Sequence, residues 1–319
     1  MMSFLEINHS EDQLPPGTVS DLSIVIVCRN NRAYLEPCLN SLYVSSLRSR
    51  FDVVVVDNGS TDGSQAMLRK KFPTVQIVQN PSNVGLSKAS NQGIRATEGR
   101  YVLLLNDDTL VNGPSLDRMV EFLNDHPEAA AVGGQLLNPD GTVQSCYNEF
   151  STLREEFLVA TRIGEFLRQG YPGTIVADRV RAVDWIGSAC LMLRRSALER
   201  VGLLDEEFFI YGDEADIQYR LRHANWKIYF VPEASTVHFG GRSMNRWSRR
   251  RMVYRGKLLF YKKNYGFLRT LALRTLLGIL SLGKMIFWVS IYLLPNRRER
   301  VKREWGSNFE VVKLCLNLR

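Results

Sequence analysis

The stretch Tyr101-Val102-Leu103-Leu104-Leu105-Asn106-Asp107-Asp108-Thr109 constrains this chain more than any other. Four apolar residues behind Tyr101 run straight into an Asn and two carboxylates. An unbroken apolar run of this kind suits a strand buried on both faces of a parallel sheet. Such sheets receive ligands beyond the carboxyl ends of their strands. Asp107 and Asp108 are therefore expected at the strand's exit, in the ligand crevice. Hard carboxylate oxygens there suit Mg²⁺ or Mn²⁺, usually shared with a substrate's phosphates. The same three polar residues also make an ordinary turn or helix cap after a core strand, and by themselves they do not decide between the two.

The neighbouring sequence repeats the theme. Leu22 to Val27 reads as a buried strand, and Asn30 to Ser46 carries apolar residues at helical spacing. Phe51 to Val56 is a second β-branched run, ending in Asp57-Asn58-Gly59-Ser60. Ser64 to Lys71 continues as a helix, Val75 to Val78 as a third strand, and Asn83 to Thr97 as a helix before the Tyr101 strand. Alternation of strand and helix predicts an α/β fold: a right-handed, mostly parallel central sheet with helices on both faces. Further on, Leu116 to Asn124 reads as a helix, Ala129 to Gln135 as a strand, and Asn138 to Gly141 as a hairpin turn. Ser151 to Gly173 is helix plus loop. Val183 to Leu193 is a strand pair or one strand kinked at glycine, and Arg195 to Val201 is a short helix closed by Gly202.

A second acidic cluster, Asp213-Glu214-Ala215-Asp216, opens a helix expected over Ile217 to Ala224. Acidic groups in a first turn favour the helix dipole, at about 0.3–1 kcal/mol each, which is a sufficient structural reason for them. Beside the apolar Phe208-Phe209-Ile210-Tyr211 wall, crowded carboxylates would also have raised pKa values suited to a general base. Lys227 to Val231 then reads as a strand. His238 follows, beside Gly240-Gly241-Arg242-Ser243, a loop suited to an oxyanion.

The net charge of +8 conceals an asymmetry. Between Glu233 and Glu299 there are 14 of the 41 Lys and Arg and none of the 33 Asp and Glu, so the remainder is mildly acidic. A basic C-terminal part implies a negatively charged partner, nucleic acid or anionic membrane. Its cations interleave with Trp247, Tyr254, Phe260, Tyr261 and Tyr265, and Thr275 to Leu294 is apolar except for Lys284 and a few small polar residues. That composition fits one or two helices lying in a membrane interface, with a single span as the second choice and a helical pair packed on the body in solution as the third. The apolar stretch argues against a nucleic-acid surface, which is polar and wet. Five scattered cysteines without a CxxC point to a reducing compartment and away from a zinc knuckle. Residues 1–20 lack an apolar h-region and read as a polar tail rather than a secretory signal.

Taken together, the motifs resemble one family. Val55-Val56-Asp57-Asn58-Gly59-Ser60-Thr61-Asp62-Gly63, Asn83-Val84-Gly85, Asn91-Gln92-Gly93, Asn106-Asp107-Asp108, Gly187-Ser188-Ala189-Cys190, Tyr211 to Asp216 and Val231-Pro232-Glu233-Ala234 occur in the order found in family-2 inverting glycosyltransferases of the GT-A fold. Within these the chain is similar to the bacterial rhamnosyltransferase-like branch. The resemblance covers roughly Leu22 to Gly266. It implies a GT-A catalytic domain over 21–244, with a donor half near 21–110 and an acceptor half near 111–244, followed by a membrane-association region over 245–319.

The resemblance also implies roles. Asp57 matches the contact to a pyrimidine base; the chain after Val27, with Arg29, holds the nucleoside, and Asn83 joins the donor contacts. Asn106-Asp107-Asp108 matches the DxD metal motif, with Asn106 where many members have Asp. Asp108 is then the metal ligand and Asp107 a ribose or sugar contact, while His238 matches a further metal or diphosphate ligand. Lys88 and Arg242 add positive charge near the diphosphate. Asp213-Glu214 matches the acidic pair that ends in the catalytic base, in reversed order: position favours Glu214, residue type Asp213. Trp185, Gly187 and Ser188 would line the sugar and acceptor pocket, although Trp185 suits plain core packing equally well. Ser243 stands where processive synthases have the Gln of Gln-x-x-Arg-Trp, ahead of Arg246-Trp247, which implies transfer of one sugar or a few.

The implied enzyme inverts, needs Mg²⁺ or Mn²⁺, and takes a dTDP- or UDP-sugar, dTDP-rhamnose as first choice. Its implied acceptor is a polyprenyl-diphosphate saccharide at the cytoplasmic face of a bacterial inner membrane, where it is peripheral or single-span. A sugar-nucleotidyltransferase is the rival enzyme, but it would want a glycine-rich phosphate loop, and Cys28-Arg29-Asn30-Asn31 has no glycine. A basic nucleic-acid-binding protein and an inactive scaffold of the same fold are the other rivals. The oligomeric state is left open, a homodimer included.

Overall fold

The structure, a computed structural model, describes residues 20–161, 163, 178–240, 246–291 and 298–316. The expectations for the N-terminal tail, Arg242 and Ser243, the loop after Thr161 and the end of the Thr275–Leu294 stretch therefore lie outside the described residues, as do the side chains of Arg246 and Trp247.

In chain order the strands are β1 (Leu22–Cys28), β2 (Phe51–Asn58), β3 (Gln76–Asn80), β4 (Tyr101–Asn106), β5 (Thr109–Leu110), β6 (Ala129–Leu137), β7 (Val143–Gln144), β8 (Tyr147–Asn148), β9 (Arg181–Ala182), β10 (Trp185–Ile186), β11 (Cys190–Arg194) and β12 (Lys227–His238). The helices are α1 (Arg32–Val44), α2 (Ser64–Lys71), α3 (Leu86–Arg95), α4 (Gly113–Asp125), α5 (Leu153–Thr161), α6 (Arg195–Val201), α7 (Asp213–His223), α8 (Arg246–Asn264), α9 (Gly266–Ile291) and α10 (Arg298–Leu316). The main sheet runs β3-β2-β1-β4-β11-β6-β12-β5.

The N-terminal half is parallel, as the alternation of strand and helix predicts. Ile24, Val25, Ile26, Val54, Val55 and Leu103 are buried, and each such side chain contributes about 1.5–3 kcal/mol by leaving water. Val27 lies opposite both Val56 and Asn106, and Cys28 opposite Asp57. The exits of β1, β2 and β4 thus end level, with their polar residues along one edge.

The expectation of a mostly parallel sheet needs correction beyond β4. β11 is antiparallel to both its neighbours, β4 and β6, and apolar runs look alike in either direction. β12 outlasts the Val231 boundary. It leaves register between Val231 and Ser235, across Pro232, which has no N–H for a ladder. There the Ala234 carbonyl crosses Gly134 so closely that a Cβ on Gly134 would lie 2.1 Å away. The strand then resumes and sets His238 opposite Thr109 on β5.

Other boundaries shift for local reasons. Asn30 has φ 51°, so α1 begins after it. Asn83, Val84 and Gly85 form a loop rather than the first turn of α3, with Gly85 at φ 95°. The third strand runs over Gln76–Asn80, not Val75–Val78, and α4 begins ahead of Leu116, at Gly113. α7 starts at Asp213, not Ile217, because Gly212 at φ 94° supplies its N-cap turn. Val183 to Leu193 holds two strands in different sheets, with β10 pairing only β8.

The last three helices form a second small core with α5: Ala160, Phe208, Leu258, Tyr261, Leu273 and Val311 are buried together. α8 meets the sheet domain at Gly256, where a Cβ would lie 2.0 Å from the Tyr211 carbonyl oxygen. Only glycine allows that approach.

Candidate active site

At the exit of β4, Asp108 and His238 meet. Asp108 Oδ1 is 3.3 Å from His238 Nε2, and the Asp108 carbonyl accepts from the Phe239 N–H at 2.9 Å. Gln144 on β7 fixes the ring: its Nε2 donates to the His238 carbonyl at 2.6 Å and its Oε1 lies 2.9 Å from Nδ1. With its amide so turned, Gln144 accepts from Nδ1–H, while Asp108 Oδ1 and the amide nitrogen of Asn106 each lie 3.3 Å from His238 Nε2. Among the described residues no three His, Cys, Asp or Glu converge to hold a metal ion. Asp108 and His238 could hold a divalent cation only with further ligands from a substrate.

Asp107 points the other way. It is buried, and its Oδ1 accepts from Asn31 Nδ2 at 2.8 Å. Burial pushes its carboxyl up to about 7, offset by the Asn31 bond and reinforced by the Asp108 charge. Asn31 was not singled out by sequence, although it stands just beyond the exit of β1.

The rest of the edge is knitted by side chains. Asp57 is fully buried; it accepts from the Ser60 N–H at 3.0 Å and from the Gln65 amide. Asn83 Oδ1 accepts from Asn58 Nδ2 at 2.9 Å and from the Gly85 N–H at 3.0 Å. Val27 is half-buried and Arg29 exposed at the same edge. Lys88 is exposed on α3, where its charge acts on Glu206.

The start of α3 carries this edge to the second acidic pair. The Leu86 N–H donates to the Phe209 carbonyl at 2.6 Å, and Ser87 Oγ to the Phe208 carbonyl at 2.6 Å. Asp213 is 1% exposed, and its Oδ1 has no hydrogen-bond partner among the described residues. Burial, then the adjacent Glu214 charge, then a hydrogen bond to Glu214 hold its pKa well above the usual carboxylate range. Glu214 is half-buried, accepts from the Gly212 N–H at 3.1 Å, and lines a cavity of about 570 Å³. Tyr211, at φ 64°, lines it too; a non-glycine residue in that region is strained.

Gln144 joins the two clusters, since it orients His238 and also lines the cavity that Glu214 faces. No sequence pattern marks it. Trp185 forms part of the same wall, its Nε1 donating to the Glu149 carbonyl at 3.2 Å. The Gly187 N–H donates to the Cys146 carbonyl at 2.8 Å, Ser188 is half-buried, and the Ala189 carbonyl accepts from the Asn106 N–H at 3.0 Å. Gly187 to Ala189 thus connects the cavity wall to Asn106 at the exit of β4.

The profile described as glycosyl transferase family 2 matches residues 23–202. An N-acetylglucosaminyl-diphospho-decaprenol L-rhamnosyltransferase of Mycobacterium tuberculosis is 28% identical over 307 residues, covering 90% of this chain and 99% of that protein. A low-salt glycan biosynthesis hexosyltransferase of Haloferax volcanii is 28% identical over 224 residues, covering 69% and 67%. Among solved structures, a mannosyltransferase of Pyrobaculum calidifontis in complex with GDP-Man and Mn²⁺ superposes with a TM-score of 0.58 at 16% identity, covering 97% of this chain and 91% of that one. At that identity the likeness is one of fold.

Proposed function

The chain belongs to glycosyl transferase family 2, and from that premise we propose that it moves one sugar, by inversion, from a nucleotide-diphosphate sugar to a lipid-linked saccharide in bacterial surface polysaccharide synthesis. The observation that carries this reading is Gln144, which ties the Asp108–His238 pair to the cavity faced by Glu214.

In the proposed mechanism Glu214 takes the proton of the acceptor hydroxyl as its oxygen attacks the anomeric carbon. The bond from that carbon to the diphosphate oxygen breaks on the opposite face. Asp213, buried beside Glu214, positions it. Asp108 and His238 would hold Mg²⁺ or Mn²⁺, which neutralises charge on the departing diphosphate. Asp107 contacts the ribose or sugar, Asp57 the base, and Val27, Arg29 and Asn83 the nucleoside. Trp185 offers a ring to the acceptor sugar, with Gly187 and Ser188 beside it.

The similarity to the mycobacterial rhamnosyltransferase over nearly its whole length supports L-rhamnose as the sugar moved and a polyprenyl-diphosphate saccharide as acceptor; dTDP is the nucleotide we propose for the donor. Such an acceptor puts the enzyme at the cytoplasmic face of the inner membrane. A thermal-shift panel of dTDP-, UDP- and GDP-sugars with and without Mn²⁺ tests the scheme. A metal-dependent shift with a dTDP- or UDP-sugar supports it; no shift with any nucleotide removes it.

A further inference from the structure

α9 has two unlike faces. Thr270, Leu273, Leu277, Ser281 and Met285 are buried against α5, α8 and α10. On the opposite side Leu268, Leu271, Ile279, Leu282, Ile286 and Val289 are 43–78% exposed. With Thr275, these recur at steps of three and four residues, a single helical stripe about 32 Å long at 1.5 Å per residue.

By length and composition the helix could cross a bilayer. Its packing opposes that. A crossing helix held in one layer of a water-soluble body would carry α5 and α8 into the hydrocarbon with it. Lys284, in its C-terminal half, turns inward and donates to the Ala160 carbonyl at 2.5 Å. The charges fit a surface instead. Arg269 stacks on Tyr265 at one end of the stripe and Arg300 on Trp288 at the other. Arg298, Arg300, Lys302 and Arg303 are exposed beyond it, and Glu299 is the one acid among them. On α10, Trp305 and Phe309 stack at 5.4 Å, both more than a third exposed, with Lys313 over the Phe309 ring. Exposed aromatic and aliphatic groups edged by cations complement an anionic lipid surface.

We infer that α9 lies in the plane of an anionic bilayer, its Leu268–Val289 stripe among the acyl chains just below the headgroups, and does not cross. α5 and α8, which pack on the inner face of α9, supply Glu155, Glu156, Val253, Lys257 and Phe260 to the cavity wall. The cavity is therefore held beside the headgroup layer, where the polar end of a lipid-linked acceptor lies. This last step rests on the acceptor proposed above; the binding geometry does not.

Flotation with vesicles of phosphatidylglycerol and phosphatidylcholine, with no substrate present, tests it. The protein should float with these, at least tenfold less with phosphatidylcholine alone, and at least tenfold less as the Ile279→Glu/Ile286→Glu variant, whose sites are exposed and whose melting temperature should not change. Fluorophores on cysteines placed one at a time at Leu268, Ile279 and Val289, in a Cys315→Ser background whose four other cysteines are buried, should be quenched equally by shallow nitroxide lipids. Deep quenching at Ile279 with shallow ends, and resistance to alkaline extraction, would show a span and overturn the inference. No flotation, with a dimer that Ile279→Glu/Ile286→Glu dissolves, would overturn it in favour of a second copy on the stripe. A thermal shift with nucleotide sugars is independent of all these outcomes and judges the catalytic reading separately.

Discussion

Asp107 is buried beside Asp108 at the exit of β4, and Asp213 is buried beside Glu214 at the start of α7. In both pairs burial is the largest force raising the inner carboxyl's pKa. In both, the neighbour faces the working space: Asp108 meets His238, and Glu214 lines the cavity. The inner acids differ in their support. Asp107 accepts from Asn31, whereas Asp213 Oδ1 has no partner among the described residues. A buried polar atom left unbonded costs about 1–3 kcal/mol, and the residues just before it, Tyr211 and Gly212, both have positive φ. The comparison teaches that the inner acid of the first pair is held by a side-chain hydrogen bond, while Asp213 keeps one oxygen that only the packing around it holds in place.

The largest expected effect separates the two members of the second pair. Glu214→Gln should lower turnover by roughly 10²–10⁴-fold, about 3–5 kcal/mol in barrier, with donor affinity unchanged. Asp213→Asn, which keeps the shape of the buried side chain, should stay within a few-fold of wild type. Steady-state rates with the reverse ranking would exchange their roles and break the parallel with Asp107–Asp108.

Next comes the support of the first pair. Gln144→Leu should weaken Mn²⁺ binding about 10–100-fold, the usual cost of losing the partner that orients a metal-bound histidine. Titrating Mn²⁺ against the nucleotide-sugar thermal shift measures it; an unchanged midpoint would detach Gln144 from the site.

Gly256→Ala should then destabilise by about 1–3 kcal/mol through overpacking, since its Cβ would press on the Tyr211 carbonyl. Urea unfolding gives the value. If the second pair depends on packing, the variant should also lose turnover while keeping the Mn²⁺ response.

The smallest effect is a pH dependence. Asp213 has a folded pKa raised above its unfolded value of about 4. Its stabilising share is fully present below that pH and is lost as pH rises through the folded pKa. Asp213→Asn lacks this titration, so its melting temperature should gain on wild type progressively from pH 4 upward. A constant difference would mean that Asp213 is charged in the folded protein.

The sequence makes the first half of this molecule legible because burial on both faces leaves an unmistakable apolar run: β1, β2 and β4 lie where Leu22, Phe51 and Tyr101 begin theirs. Asp107, Asp108, Asp213 and Glu214 are legible as polar breaks after apolar runs. What escapes is whatever depends on distant pairing. β5 and β7 to β10 are two-residue strands with no period to read. The direction of β11 follows from its neighbours, not its residues. The resumption of β12 after Pro232 follows from Gly134, nearly one hundred residues earlier in the chain, and it carries His238 to Thr109. Gln144 and Asn31 matter for what they touch across 94 and 76 positions of sequence, which no local pattern encodes.

The seat of Gly256 against the Tyr211 carbonyl has one further consequence. It brings the outer helical layer into direct backbone contact with the turn that carries Glu214. How far that carboxylate stands from whatever surface supports the outer helices is a fixed height, written into the fold by one missing methyl group. With the lipid-linked acceptor proposed above, such a stand-off would select the sugar along a tethered chain by its height.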